Sequence, residues 1–253
     1  MMDTKRGIVF AATGDPYFKE AVVAAKRVRE VMPGLPIVIF TDHDREMGPF
    51  DAVYEVENPM MSCGDKIQAA SRSPFEETLF LDPDTFMIEA VDDLFLLLEK
   101  NCLAISHATY RESEVLEGVP ESFPELNTGV FVFRRGAAWT QVVEAWKSNY
   151  RNLGYKNDQP ALRKTLWEAG VSFGVLTPEF QFRTHRHCFA GEGSRIRIIH
   201  GRHAKVGKLA AELNRSLEAR VYLKRFKDLL SPRVVTESRL HRWLKQTLGR
   251  LIR

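Results

Sequence analysis

The first feature of chemical consequence is an apolar run that drives straight into two carboxylates, Leu79-Phe80-Leu81-Asp82-Pro83-Asp84. Side chains alternate along extended backbone, so the spacing predicts that Asp82 and Asp84 converge at the end of a strand. Two close carboxylates repel each other. Either one takes up a proton or a hard divalent cation such as Mg2+ or Mn2+ is bound between them. The carboxyl end of a strand in an open α/β sheet is also where ligands bind. Taken alone, an Asp-x-Asp is more often a solvated acidic turn, because Asp favours turns.

Other reactive groups are scattered. His185, His187, His200 and His203 make a local excess of imidazole, and His200 directly follows the apolar run Ile196 to Ile199. His185-Arg186-His187-Cys188 lacks a second ligand pair at zinc-site spacing, so no zinc is expected there. The three cysteines, Cys63, Cys102 and Cys188, lie far apart with no Cys-x-x-Cys, which fits a reducing compartment and predicts a cytoplasmic protein.

The elements that must position these groups alternate. Gly7 to Ala12 reads as a buried strand, and Thr13-Gly14-Asp15-Pro16 as a turn that caps a helix from Tyr17 to about Met32. Strands follow at 36–40, 53–56 and 78–81, with a short helix at 65–72 before the last. Further strands are expected at 102–105, 129–133 and 196–199, and helices at 137–150 and 159–169. This alternation predicts an α/β fold, a mostly parallel Rossmann-like sheet with helices on both faces. With 253 residues, 44% hydrophobic and 27% charged, the chain is long enough for a full core and too apolar for bulk disorder. Its longest apolar runs, such as Ile8 to Ala12, are far short of the roughly 20 residues a bilayer span needs.

Several short motifs in one order carry a resemblance. Asp65-Lys66-Ile67, Leu79 to Thr85, Val91-Asp-Asp-Leu-Phe95, Leu126-Asn127-Thr128-Gly129, Asn157-Asp158-Gln159 and Ile198-Ile199-His200-Gly201 together resemble the retaining glycosyltransferases of the GT-A fold. The likeness is greatest to the glycogenin and lipooligosaccharide galactosyltransferase group, and it spans about residues 7 to 205. It implies an enzyme with a GT-A-like catalytic domain over residues 1–203. That enzyme would transfer a hexose from a nucleotide-diphosphate sugar, with UDP the expected nucleotide, to a glycan or lipid-linked acceptor with retention.

The resemblance also implies site roles. Asp82, Asp84 and His200 would hold Mn2+ or Mg2+, with His203 an alternative third ligand because Gly201 follows His200 at once. Lys66 and Lys205 would contact phosphate. Ala12, Thr13, Asp15 and Tyr17 would receive the nucleotide, near Pro83, which has no N–H to offer it. Asn127, Asp158 and Gln159 would face the sugar; Gln159 is suited to stabilising charge rather than to nucleophilic attack. Two rival readings remain at this point. One is a nucleotidyltransferase that makes sugar nucleotides, although Ala11 to Asp15 lacks its basic Gly-rich loop. The other is a catalytically silent nucleotide-binding or membrane-associated protein.

The formal charge of +3 hides an asymmetry: residues 204–253 hold 13 basic and 4 acidic side chains, and residues 1–203 hold 23 and 29. Leu209, Leu213, Leu217, Val221, Phe226 and Leu230 read as one helical stripe. A second stripe follows Ser231-Pro232, with Leu240, Trp243, Leu244, Leu248, Leu251 and Ile252 among five arginines and lysines. Residues 204–253 are therefore expected to form a basic amphipathic helical region, with residues 231–253 lying on an anionic membrane surface. The alternatives are a helical hairpin packed on the catalytic domain and a nucleic-acid contact. No nucleic-acid module is recognisable, so no such partner is expected.

Overall fold

The computed structural model describes residues 5–42, 46–108, 115–154, 157–224 and 233–241. The strands are β1 (Arg6–Ala12), β2 (Ile37–Thr41), β3 (Ala52–Glu55), β4 (Glu77–Leu81), β5 (Thr85–Met87), β6 (Leu103–His107), β7 (Leu126–Arg134), β8 (Gly174–Val175), β9 (Phe182–Arg183), β10 (Cys188–Ala190), β11 (Ile198–His200), β12 (Arg220–Leu223) and β13 (Arg233–Thr236). The helices are α1 (Asp15–Val31), α2 (Cys63–Ser71), α3 (Ala137–Asn152), α4 (Asp158–Ala169) and α5 (Val206–Leu213), and Asp92–Glu99 winds as a 3-10 helix.

Seven strands form the main sheet in the order β3-β2-β1-β4-β7-β6-β8. It is parallel except where β7 runs antiparallel to β4 and β6. Alternation splits the core in two. Ile8, Phe10, Ile37, Ile39, Leu79 and Leu81 pack under Ala21, Ala24, Ala25 and Val28 of α1. Val9, Val38, Phe40 and Phe80 face α2, α3 and α4 through Ile67, Trp139, Trp146 and Leu162. Strands buried on both faces are what helices on either side of a parallel sheet require.

Glu77 ties three neighbouring strands at their edge. Its carboxylate accepts from Arg6 Nε at 2.7 Å and from Arg134 Nη2 at 2.6 Å, its register partners on β1 and β7. Burial works against its charge, but the two guanidinium groups outweigh burial and hold the carboxyl below its ordinary value. Both arginines are partly exposed, so solvent screens the pairs, and Glu77→Gln should cost about 1–2 kcal/mol at pH 7. A group with a depressed folded pKa contributes stability above its unfolded pKa and loses it as pH falls. Urea melts should therefore show the difference from wild type shrinking below about pH 4. An undiminished gap at pH 3 would contradict the ion-pair origin.

The stretch expected as one basic helical stripe has another form. Leu209 and Leu213 lie on α5, but Val221 lies on β12, which pairs with β10 and β13 in a small antiparallel sheet. The sequence Arg220-Val-Tyr-Leu223 buries alternate residues, a strand period that a helical reading of Leu217 to Leu230 overrides. Tyr222, Val234, Leu209 and Leu213 form a third core with Phe182 and Ile199, which packs this region onto the rest of the chain. Residues 225–232 and 242–253, which carry most of the second expected stripe, lie outside the described residues.

Candidate active site

The Asp-x-Asp converges by a turn rather than by strand alternation. Strand β4 ends at Leu81. The Asp82 carbonyl then accepts from Thr85 N at 3.1 Å and from Thr85 Oγ1 at 2.8 Å, closing a turn through Pro83 and Asp84. Pro83 presets φ for such a turn. The chain continues as β5, a strand of three residues and too short to show a period, and β5 pairs antiparallel with β11 so that Thr85 lies opposite His200. Gly201 N, at φ +119°, donates to the Asp84 carbonyl at 3.0 Å and locks this register.

His200 is thereby delivered onto both aspartates. Its Nε2 lies 3.2 Å from Asp84 Oδ1 and 3.5 Å from Asp82 Oδ2. One ligand atom from each of the three lies within 4.8 Å of the others, the one such cluster among the described residues. Its second ring nitrogen, Nδ1, is 3.2 Å from Gln181 Nε2, and Gln181 also donates to Asn127 Oδ1. His203 goes elsewhere: its Nδ1 accepts from Lys205 N, and its ring sits 6.2 Å from Tyr222.

Groups of opposite sign hold one another charged in this pocket, with carboxylates in excess. Burial would discharge the His200 imidazole, but its hydrogen bonds to the Asp82 and Asp84 carboxylates outweigh burial and raise its pKa. Burial is likewise outweighed at Asp84, where His200 and His185 hold the carboxyl well below the usual range. Lys66, on α2, places Nζ 2.8 Å from Asp82 Oδ1 and 3.7 Å from Asp158 Oδ2. Burial opposes its charge, yet Asp158 and Asp82 hold the ammonium ionised far above its ordinary value. Cys63 is pushed up to about 12 by burial and by Asp158, so it is a neutral thiol here rather than a nucleophile.

These groups line a cleft of about 580 Å³ at the carboxyl ends of β1 and β4. Ala12, Thr13 and Tyr17 line it beside Pro83, Asp82, Asp84, His200 and Lys66, as do Asn127, Asp158 and Gln159. Asn127 Nδ2 donates to Gln159 Oε1 at 2.8 Å, and its own Oδ1 accepts from Gly129 N at 3.1 Å. Asp158 and Gln159 open α4, whose N-cap is Asn157. Two expected residues lie outside the cleft lining: Asp15 sits in the first turn of α1, and Lys205 caps α5 beside a second groove.

Three contacts at the site go beyond the roles that the sequence assigns. Asp65 joins the β1 loop to α2, accepting from Thr13 Oγ1 at 2.8 Å and from Met60 N at 2.9 Å while closing a capping box with Ser62. The Ser62-x-x-Asp65 spacing is the capping signal that gives Asp65 this role. Arg202 and Glu20 pair across the cleft rim at 2.5 and 2.9 Å, with the guanidinium 5.5 Å from the Tyr17 ring centre. No local pattern joins residues 182 positions apart. Gln181, finally, supports His200 from a short irregular segment.

Gly129 is required by close approach. A Cβ built there would lie 1.9 Å from His200 Cε1. Gly129→Ala should force the imidazole off the two aspartates and cost about 1–3 kcal/mol. Any divalent-cation affinity of the cluster should fall about 10- to 100-fold. Thermal melts and Mn2+ titration check this, and a variant matching wild type in both would contradict the packing argument.

No protein-family model and no curated protein matches the sequence. Solved structures match by fold. The galactosyltransferase LgtC, in complex with donor and acceptor sugar analogues, is 17% identical with a TM-score of 0.53, covering 78% of this chain and 87% of its own. The glycosyltransferase GlyE of Streptococcus pneumoniae is 14% identical with a TM-score of 0.57, covering 94% of this chain, which spans 60% of GlyE. Mouse xyloside xylosyltransferase 1 is 13% identical with a TM-score of 0.53, covering 78% of this chain and 97% of its own. The chain has the α/β fold of these GT-A glycosyltransferases.

Proposed function

We propose that the protein is a metal-dependent glycosyltransferase. It moves a hexose from a nucleotide-diphosphate sugar, with UDP as the nucleotide, to a glycan or lipid-linked acceptor with retention. The observation that carries this reading is the Asp82–Asp84–His200 cluster beside Lys66, in a cleft of a glycosyltransferase fold. Two carboxylates and one imidazole are a donor set that fits Mn2+, with Mg2+ the competitor, and their spacing suits one ion. When bound, such an ion supplies Lewis-acid neutralisation of the diphosphate.

The chain's own residues do the remaining work. Lys66 offers a fixed positive charge beside the phosphates, and Thr13 and Tyr17 take the base and ribose. Asn127 and Gln159, locked to each other, orient the sugar, and the buried Asp158 carboxylate stabilises positive charge developing at the anomeric carbon. In the net reaction an acceptor hydroxyl oxygen bonds to the anomeric carbon and the bond from that carbon to the diphosphate breaks. The electron pair leaves on the diphosphate, and the hydroxyl proton passes to the released diphosphate or to solvent. Calorimetry with UDP tests the donor half: affinity should depend on Mn2+ and collapse with EDTA, and metal-independent binding would contradict the cluster's role.

The basic tail is proposed to bring the enzyme to an anionic membrane surface from the cytoplasmic side. No helix among the described residues is long and apolar enough to cross a membrane. Removing residues from 231 onward would also strip β13 from the third core, so the cleaner truncation ends after His241. That variant should keep its melting temperature and lose most co-sedimentation with phosphatidylglycerol vesicles. Unchanged sedimentation would contradict the anchor.

A further inference from the structure

A second groove, of about 570 Å³, adjoins the cleft and shares Arg202 as part of its wall. Its other cationic lining is Lys205 and Lys208 at the start of α5, Lys224 after β12, and His203. The Lys205, Lys208 and Lys224 ammonium groups have no carboxylate partner among the described residues. The groove's one acidic lining residue, Glu212, is already paired with Arg239 at 3.3 Å. Leu209 and Tyr222 lie buried beneath the groove, and the half-buried His203 ring, packed on Tyr222, is the aromatic face that the groove exposes.

Unpaired cations around a half-exposed imidazole ring are complementary to a ligand that is anionic at one end and carries a C–H face at the other. A phosphorylated saccharide has that form: sugar C–H groups pack on an aromatic ring, and phosphate collects ammonium groups as point charges. We propose that this groove is an acceptor subsite for a phosphate-bearing saccharide, held by Lys208 and Lys224 while a hydroxyl reaches past Arg202 into the donor cleft. The assignment to an acceptor rests on the glycosyltransferase reading above; the anion site does not. The cationic end of the groove selects the acceptor by charge, and binding weakens as salt rises.

The test uses the full chain and glucose 6-phosphate as probe, followed by calorimetry at low and high salt, with glucose as the uncharged control. Wild type should bind glucose 6-phosphate at least about tenfold more tightly than glucose. Lys208→Ala/Lys224→Ala should lose that preference, with UDP binding and the melting temperature unchanged, and Lys208→Arg/Lys224→Arg should restore it. Asp82→Ala/Asp84→Ala should keep it while losing UDP, so failure of the donor reading and failure of the groove are read separately. Equal binding of the two sugars, or an unaffected lysine double variant, overturns the proposal. Phosphatidylglycerol vesicles that lose binding in that variant, when glucose 6-phosphate does not, also overturn it and make the groove a lipid-headgroup contact.

Discussion

Asp84→Asn, and more completely Asp82→Ala/Asp84→Ala, will lower turnover of any sugar nucleotide the protein accepts by about a thousandfold or more. Asparagine keeps the shape of the turn and removes one of the two anionic ligands that His200 completes at 3.2 Å. A metal clamp on a departing diphosphate contributes several kcal/mol to transition-state stabilisation, and about 4 kcal/mol corresponds to a factor near 10³. Asp84→Asn should keep the fold, because Asp84 lies on a turn beyond the buried strand β4 whose backbone bonds do not use its carboxylate, whereas the double variant also takes from Lys66 its partner at 2.8 Å and should fold with a stability lower by about 3 kcal/mol. Steady-state hydrolysis with added Mn2+, alongside a thermal melt, checks both halves. A well-folded variant with turnover within tenfold of wild type would remove the cluster from the mechanism.

Lys66→Met will have the largest effect on stability. Methionine fills much of the same space but leaves the part-buried Asp82 carboxylate and the buried Asp158 carboxylate without the ammonium that lies 2.8 and 3.7 Å from them. Removing one partner of a buried ion pair costs about 3–5 kcal/mol. For a chain of this size that corresponds to roughly 10 °C or more in melting temperature. In wild type the Asp82 carboxyl is held low, burial being outweighed by Lys66 and His200, so its ionised form contributes stability above its unfolded pKa and loses it as pH falls. The penalty in the methionine variant should therefore be greatest at neutral pH and narrow as pH falls towards and below about 4, where the stranded Asp82 carboxylate takes up a proton. UDP affinity should fall as well. A penalty that is flat with pH would mean that Lys66 acts through packing alone.

The parts of this molecule that were legible in the sequence are those set by local periodicity. The β1–α1–β2 unit follows from an apolar run, a turn and a helical spacing of alanines, and β4 running into Asp82 follows from composition alone. The site's assembly was less legible, because it depends on pairing between distant short segments. His200 meets the aspartates only because β11 pairs with a three-residue strand after Pro83, a strand too short to show a period. Strand β7 begins at Leu126 rather than Gly129, across a register shift opposite Ile105 and Ser106, and this places Asn127 within the sheet. The Glu20–Arg202 bridge and the support of His200 by Gln181 are tertiary contacts with no local signature. Beyond Lys205, leucines at helical spacing continued into a stretch whose alternate burial belongs to a strand, and tertiary packing on Phe182 and Ile199 decided the outcome.

The most direct test of the central claim is the release of sugar from a panel of nucleotide-diphosphate sugars by the purified chain, with Mn2+ and with EDTA. Slow, metal-dependent hydrolysis of at least one UDP-hexose is predicted, abolished in Asp82→Ala/Asp84→Ala and giving a sugar with the anomeric configuration of the donor. A folded protein that binds UDP with Mn2+ yet releases no sugar from any donor in the panel, with or without added acceptor saccharides, would contradict the account.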